Sequence, residues 1–159
     1  MKHIMLAFMS NLHTDRTTHQ LTQTIYELHD GTQVTCVQTN ESAICYMNHV
    51  LQKDGRQVDD IFCVTTKMLN GTILLDEQND GTVRKVIQKE FISRRIVERF
   101  PHLQGHVHTI DYDETEPIDQ TIGSIASMAG IVRQYIDAHA EEGVCIHADM
   151  TGGPRHAVM

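Results

Sequence analysis

Two short clusters in this 159-residue chain carry side chains suited to holding an anion. Ser10, Asn11, His13, Thr14 and Arg16 follow an apolar run near the N-terminus, and Met150, Thr151, Gly152, Gly153, Pro154, Arg155 and His156 follow another near the C-terminus. Hydroxyls and amides donate hydrogen bonds, adjacent glycines let backbone N–H groups come close, and an arginine can clamp a phosphate. Thr65, Thr66 and Lys67 form a third polar group after a central apolar run. Ser10, His13 and His156 are the candidates for orienting a reacting hydroxyl or moving a proton. No GxGxxG or GxxxxGK[ST] string occurs, so neither a dinucleotide cofactor nor P-loop chemistry is expected, and no other cofactor is implied.

The elements that must position these clusters follow from hydrophobic pattern and turn residues. Lys2 to Met9 is apolar without a helical period, as suits a parallel strand buried on both faces. Thr24 to Val37 alternates around Asp30-Gly31, which predicts an edge β-hairpin. Thr39-Asn40-Glu41-Ser42 offers capping residues before the stripe Ala43, Ile44, Met47, Val50 and Leu51, which Gly55 ends. Asp59-Asp60 leads into the strand Ile61 to Thr65, and Asn70-Gly71 and Asp80-Gly81 mark turns. Val83, Ile87, Phe91, Ile96 and Val97 predict a helix from Val83 to Phe100, stopped by Pro101. His106 to Asp111 alternates as a strand, Ile118 to His139 is helical after Pro117, and Val144 to Asp149 is a last strand. The order predicts an α/β, Rossmann-like, mostly parallel and doubly wound sheet with an edge hairpin. In such sheets ligands sit beyond the carboxyl ends of the strands, where the three polar clusters fall.

A chain of this length makes one ordinary domain. Hydrophobic residues at 40% and charged residues at 21% give it enough material for a core. A net charge of −8 excludes a protein that coats long nucleic acids, since that needs many Lys and Arg against phosphates. No run approaches the roughly 18 apolar residues of a membrane span, so no membrane contact is expected. Cys36, Cys45, Cys63 and Cys145 show no CxxC spacing and read as free thiols in a reducing, cytoplasmic setting.

A first strand ending at Ser10-Asn11, an edge hairpin, and a late strand closing in Asp149-Met150-Thr151-Gly152-Gly153-Pro154-Arg155 resemble the CARF (CRISPR-associated Rossmann fold) sensor domains of type III CRISPR ancillary proteins. The Asp-x-Thr-Gly-Gly-x-Arg string carries most of the resemblance. It implies a cytoplasmic homodimer that holds a cyclic oligoadenylate second messenger across its two-fold axis, as part of antiviral signalling, and that controls an attached effector allosterically. By position, Ser10 and Asn11 would meet ribose or phosphate, and Thr65 and Thr66 would line the wall. Met150, Thr151, Gly152, Gly153, Arg155 and His156 would supply phosphate contacts and adenine selection. Ring size is open, with four adenylates the leaning. The family joins its sensor to an effector, commonly a nuclease, so residues 1–159 read as the sensing domain, with the effector outside this segment. Some relatives cleave the ring slowly without metal, which makes a ring nuclease the alternative; a generic interaction module on the same scaffold is the third reading.

Other spacings carry less. Arg95 with His102, and Arg133 with His139, fit the R-x(4–6)-H pattern of HEPN ribonucleases, yet eleven histidines make chance matches expected. His106-x-His108 and His147-x-Asp149 each place two candidate ligands on one strand face, but without a further ligand at recognisable spacing no metal is expected. Asp111-Tyr112-Asp113-Glu114 reads as a solvated loop.

Overall fold

The structure, a computed structural model, describes residues 1–18, 20–77, 83–113 and 115–152. Four parallel strands form the central sheet: β1 (Lys2–Phe8), β4 (Asp60–Thr66), β7 (Val107–Tyr112) and β8 (Val144–Asp149). Their order is β7-β4-β1-β8. Two hairpins stand outside it as separate two-stranded sheets, β2 (Thr24–Glu27) with β3 (Gln33–Cys36), and β5 (Thr72–Glu77) with β6 (Val83–Ile87). The helices are α1 (Thr39–Gln52), α2 (Gln88–Arg99) and α3 (Ile118–Ala138). Among the described residues no helix is long and apolar enough to cross a membrane.

Alternation along the strands decides which helix covers which face. Met5, Ala7 and Met9 of the β1 segment join Ile61 and Cys63 of β4 beneath Ile44 and Leu51 of α1 and Ile92 and Ile96 of α2. Ile4 and Phe8, Phe62 and Val64, and Ile110 and Tyr112 point the other way, onto Met128 and Val132 of α3. All seven residues of β4 are buried, as a central strand covered on both sides requires. The sheet is therefore doubly wound, with α1 and α2 on one face and α3 on the other.

The chain steps from β1 through α1 to β4 and through α2 to β7, then returns along α3 to place β8 on the far side of β1. The direction of winding thus reverses between β1 and β8. Lys2 to Ala7 pair in register with Val144 to Asp149, so both strands deliver their next residues to the same end of the sheet.

Two expectations change in detail. The hairpin at 24–36 is not hydrogen-bonded to the parallel sheet; β3 packs along α1, and Arg99 donates to the Thr35 carbonyl at 2.9 Å. The helix expected from Val83 begins only at Gln88, because residues 83–87 form the second strand of a hairpin with Thr72 opposite Ile87. Apolar residues at 83, 87 and 91 suit either period, and the pairing with residues 72–77 prevails. The Gln88 amide then bonds the Gly71 carbonyl at 3.0 Å, closing the hairpin at the start of α2.

Candidate functional site

The candidate site is the region where β1 and β8 end side by side. Its floor is a buried polar network centred on Asn40, wholly inaccessible in the first turn of α1. Asn40 Oδ1 accepts from the Ser10 amide at 2.7 Å and from Ser10 Oγ at 3.0 Å. Its Nδ2 donates to the Phe8 carbonyl at 3.0 Å and to Asp149 Oδ2 at 2.6 Å. The other oxygen of Asp149 accepts from the Thr151 amide at 3.0 Å and from Thr151 Oγ1 at 2.6 Å, an Asx turn that bends the chain as it leaves β8. Gln38 Nε2 donates to the Ser10 carbonyl. One side chain therefore ties the ends of both strands to the start of a helix.

Gly152 packs directly against the end of β1. A Cβ there would stand 2.0 Å from the Phe8 oxygen, 2.5 Å from the Ser10 nitrogen and 2.9 Å from the Met9 carbonyl carbon, all backbone atoms that cannot step aside. Only glycine lets the loop after β8 lie this close to the end of β1. Asn11, Met150 and Thr151 are exposed along the rim, with Ser10 half-buried between them.

The start of α1 contributes helix-terminal N–H groups, and its position is pinned by Glu41. That buried carboxylate accepts from the Val37 amide at 2.8 Å, from Arg95 at 2.9 Å and from Arg99 at 2.6 Å. Its charge is thus matched by two guanidinium groups, and the Asp149 carboxylate is the other anion held at the first turn of the helix.

The remaining expected residues separate into those that join this crevice and those that do not. Thr65 lies one strand away and turns from it, donating to Asp111 Oδ1 at 2.8 Å. That bond, with Lys89 at 3.2 Å, holds the Asp111 carboxyl below its ordinary range. Thr66 is buried at the end of β4. Lys67 pairs with Asp113, which this contact and two hydrogen bonds from Thr115 lower to about 2. His13 sends its backbone N–H to the Val37 carbonyl at 2.7 Å, and its ring meets Thr24 Oγ1 at 3.1 Å, so it faces the first hairpin. Gly153, Arg155 and His156 lie outside the described residues.

No family model, no curated protein and no solved structure matches this chain. The site is therefore read from its own geometry.

The rival spacings resolve into ordinary contacts. Arg95 is bound to Glu41, His102 reaches the Val58 carbonyl at 3.1 Å, Arg133 pairs with Asp137, and His139 meets the Tyr135 carbonyl at 2.9 Å. His106 and His108 both donate to Asp60 Oδ1, at 3.0 and 2.8 Å, while Tyr135 donates to Oδ2. Burial alone would raise the Asp60 carboxyl, but the bonds from Tyr135, His108 and His106 outweigh it and hold it below its usual range. Asn40 was hidden in the sequence among the capping candidates at 39–42. The spacing Asp149-x-Thr151, typical of an Asx turn, was the only local sign that Asp149 turns inward.

Proposed function

We propose that this chain binds a small anionic nucleotide ligand in the β1–β8 crevice, and that the ligand is a cyclic oligoadenylate sensed in the manner of a CARF domain. The observation that carries the reading is the close seat of Gly152 on Phe8 and Ser10 at the point where the winding of the sheet reverses. The exposed Asn11 and the start of α1 give neutral, directional donors for phosphate and ribose, while Ser10 and Thr151, whose N–H and hydroxyl groups donate to Asn40 and Asp149, offer their hydroxyl oxygens as acceptors. Arg155 supplies the cation by its place in the Asp-x-Thr-Gly-Gly-x-Arg string. A long nucleic acid fits the net charge of −8 poorly, whereas a compact ring needs only this local patch of donors.

The same reading includes a two-fold homodimer. Gly123, Ala126, Ser127 and Ala129 of α3 are exposed, and among the described residues nothing lies within 4 Å of a Cβ built on Gly123 or Gly130. Helical glycine costs roughly 0.5–1 kcal/mol relative to alanine, and packing among the described residues does not require it at either position. Ile122 is 64% exposed, Ile131 42% and Ile146 of β8 45%, so an apolar surface with small residues faces outward. A second copy covering it would bring two crevices together across an axis that a symmetric ring can share.

Binding is favoured over cleavage, because Ser10 Oγ donates into Asn40 and the ring of His13 is engaged by Thr24. Calorimetric titration with cyclic tri-, tetra- and hexa-adenylate, beside a linear adenylate, tests the proposal. The expected result is saturable binding of one ring size with little response to the linear control; equal weakness toward all four refutes it. Incubating the bound ring in EDTA and following linear products separates sensing from ring cleavage.

A further inference from the structure

At the end of the sheet opposite the crevice, three metal-ligand side chains meet on the face that α1 and α2 cover. His3 of β1 is buried, while Cys145 and His147 of β8 are half-buried. The strand register makes this arrangement. His3 lies directly opposite Cys145, and His147 lies opposite Met5, so the three occupy one face as a direct and a diagonal neighbour. One ligand atom from each lies within 4.8 Å of the other two. His3 Nδ1 and His147 Nε2 are 3.0 Å apart, with the rings stacked at 5.3 Å between centroids. Two ring nitrogens this close share either a proton or a cation.

We propose that His3, Cys145 and His147 form a binding site for a zinc-like divalent cation, leaving a fourth position for water or an exogenous ligand. Imidazole nitrogen and thiolate sulfur are both zinc ligands, and three protein ligands leave the fourth tetrahedral position open. Zinc bonds of about 2.0–2.1 Å to nitrogen and 2.3 Å to sulfur place tetrahedral ligand atoms roughly 3.3–3.6 Å apart. The side chains need only small rotations to reach that spacing, because both strands are fixed by their backbone ladder.

Arg56 is the competitor. Its Nη1 lies 3.4 Å from His3 Nε2, a contact that leaves the His3 proton on Nδ1, pointing at His147. When the cation binds, that proton moves to Nε2, the Cys145 thiol releases its proton to solvent, and Arg56 turns to its other partner, Asp54. One proton leaves per ion bound. Removing Arg56 therefore tightens binding. The site does not depend on the crevice reading.

The test uses tag-free protein stripped with EDTA, titrated with zinc against a chromophoric chelator and separately with cobalt(II). The expected result is one equivalent of zinc, weakened more than about tenfold by Cys145→Ser and by His147→Ala. Arg56→Ala strengthens binding, and His108→Ala leaves it unchanged. The cobalt complex shows a thiolate-to-metal charge-transfer band, which reports Cys145 directly in the unmutated protein, so misfolding of a variant does not blur the outcome. Absence of that band, parental affinity in Cys145→Ser and His147→Ala, or loss of the ion in His108→Ala each overturns the assignment.

Discussion

Replacing Asn40 with alanine should destabilise the fold by about 3–5 kcal/mol. The side chain makes four hydrogen bonds, to the Ser10 amide, Ser10 Oγ, the Phe8 carbonyl and Asp149 Oδ2. At about 1 kcal/mol net apiece they contribute roughly 4 kcal/mol. The bond to the Asp149 carboxylate is charge-assisted and raises the figure; the Ser10 hydroxyl, free to rotate toward water, lowers it. Against a typical 5–15 kcal/mol for a whole domain this is a large share, and it corresponds to roughly 8–16 °C in Tm. Asn40→Asp sharpens the test. It keeps the acceptor facing Ser10 but sets a second carboxyl where an amide donor now lies 2.6 Å from Asp149. One of the two must then hold a proton, so the pair titrates above the unfolded value of about 3.9. A group whose folded pKa is raised gives stability that is present at low pH and lost as pH rises through that folded value. Urea unfolding followed by far-ultraviolet circular dichroism measures both. An alanine variant within about 1 kcal/mol of the parent at unchanged m, or an aspartate variant that does not regain stability on acidification, would refute the proposed role of Asn40.

The remaining predictions concern the rim, the opposite end of the sheet and the outer helix. Gly152→Ala should cost about 1–3 kcal/mol through its clash with the backbone of β1 and should also weaken cyclic oligoadenylate; a variant with parental stability and affinity places the crevice elsewhere. Arg155→Ala should weaken the same ligand by about 1.5–3 kcal/mol with Tm unchanged, as read by calorimetry and thermal melting. Because the Asp60 carboxyl sits below its ordinary range, its contribution is present above the unfolded value near 3.9 and is lost as pH falls through the lower folded value. The stability gap between the parent and Asp60→Asn should therefore shrink as pH falls below about 5, and a constant gap in urea midpoints argues against it. Ile122→Glu should leave the monomer fold intact and shift sedimentation from a dimer toward the 18.0 kDa monomer; a parent that is itself monomeric at high micromolar concentration removes the dimer.

The parts of the fold legible in the sequence were those written in local pattern. The apolar run of β1, the Asp30-Gly31 turn, the stripe of α1 and the helix after Pro117 appear where their residues place them. The start of α2 was not legible, since Val83 and Ile87 fit a helix as well as a strand and the choice rests on a partner strand ten or so residues away. The expectation of a site at the strand ends came from strand order, whereas the polar network around Asn40 could not be read from it. The contact of Asn40 with Asp149 links positions 109 apart, and no local signal distinguishes it from a helix cap. The same holds for His3, whose neighbours Cys145 and His147 are assigned by sheet register alone. Thr65 and His13, expected in one crevice, were drawn off by Asp111 and Thr24, contacts fixed only when separate loops fold against each other.

The placement of β8 beside β1 also sets a timetable. As the chain emerges from the ribosome, β1, α1, β4, α2 and β7 appear in an order that lets each strand add to one growing edge. Throughout that interval the other edge of β1 has no hydrogen-bonding partner, and the sheet face that α3 will cover stands bare. Contacts this remote in sequence form late and slowly, since a long loop must close before they are gained. An unpaired apolar strand edge is a template for misassembly with another chain, so the nascent protein is most vulnerable until β8 arrives. Capping of that edge and completion of the Asn40–Asp149 contact are then a single event, because β8 brings both.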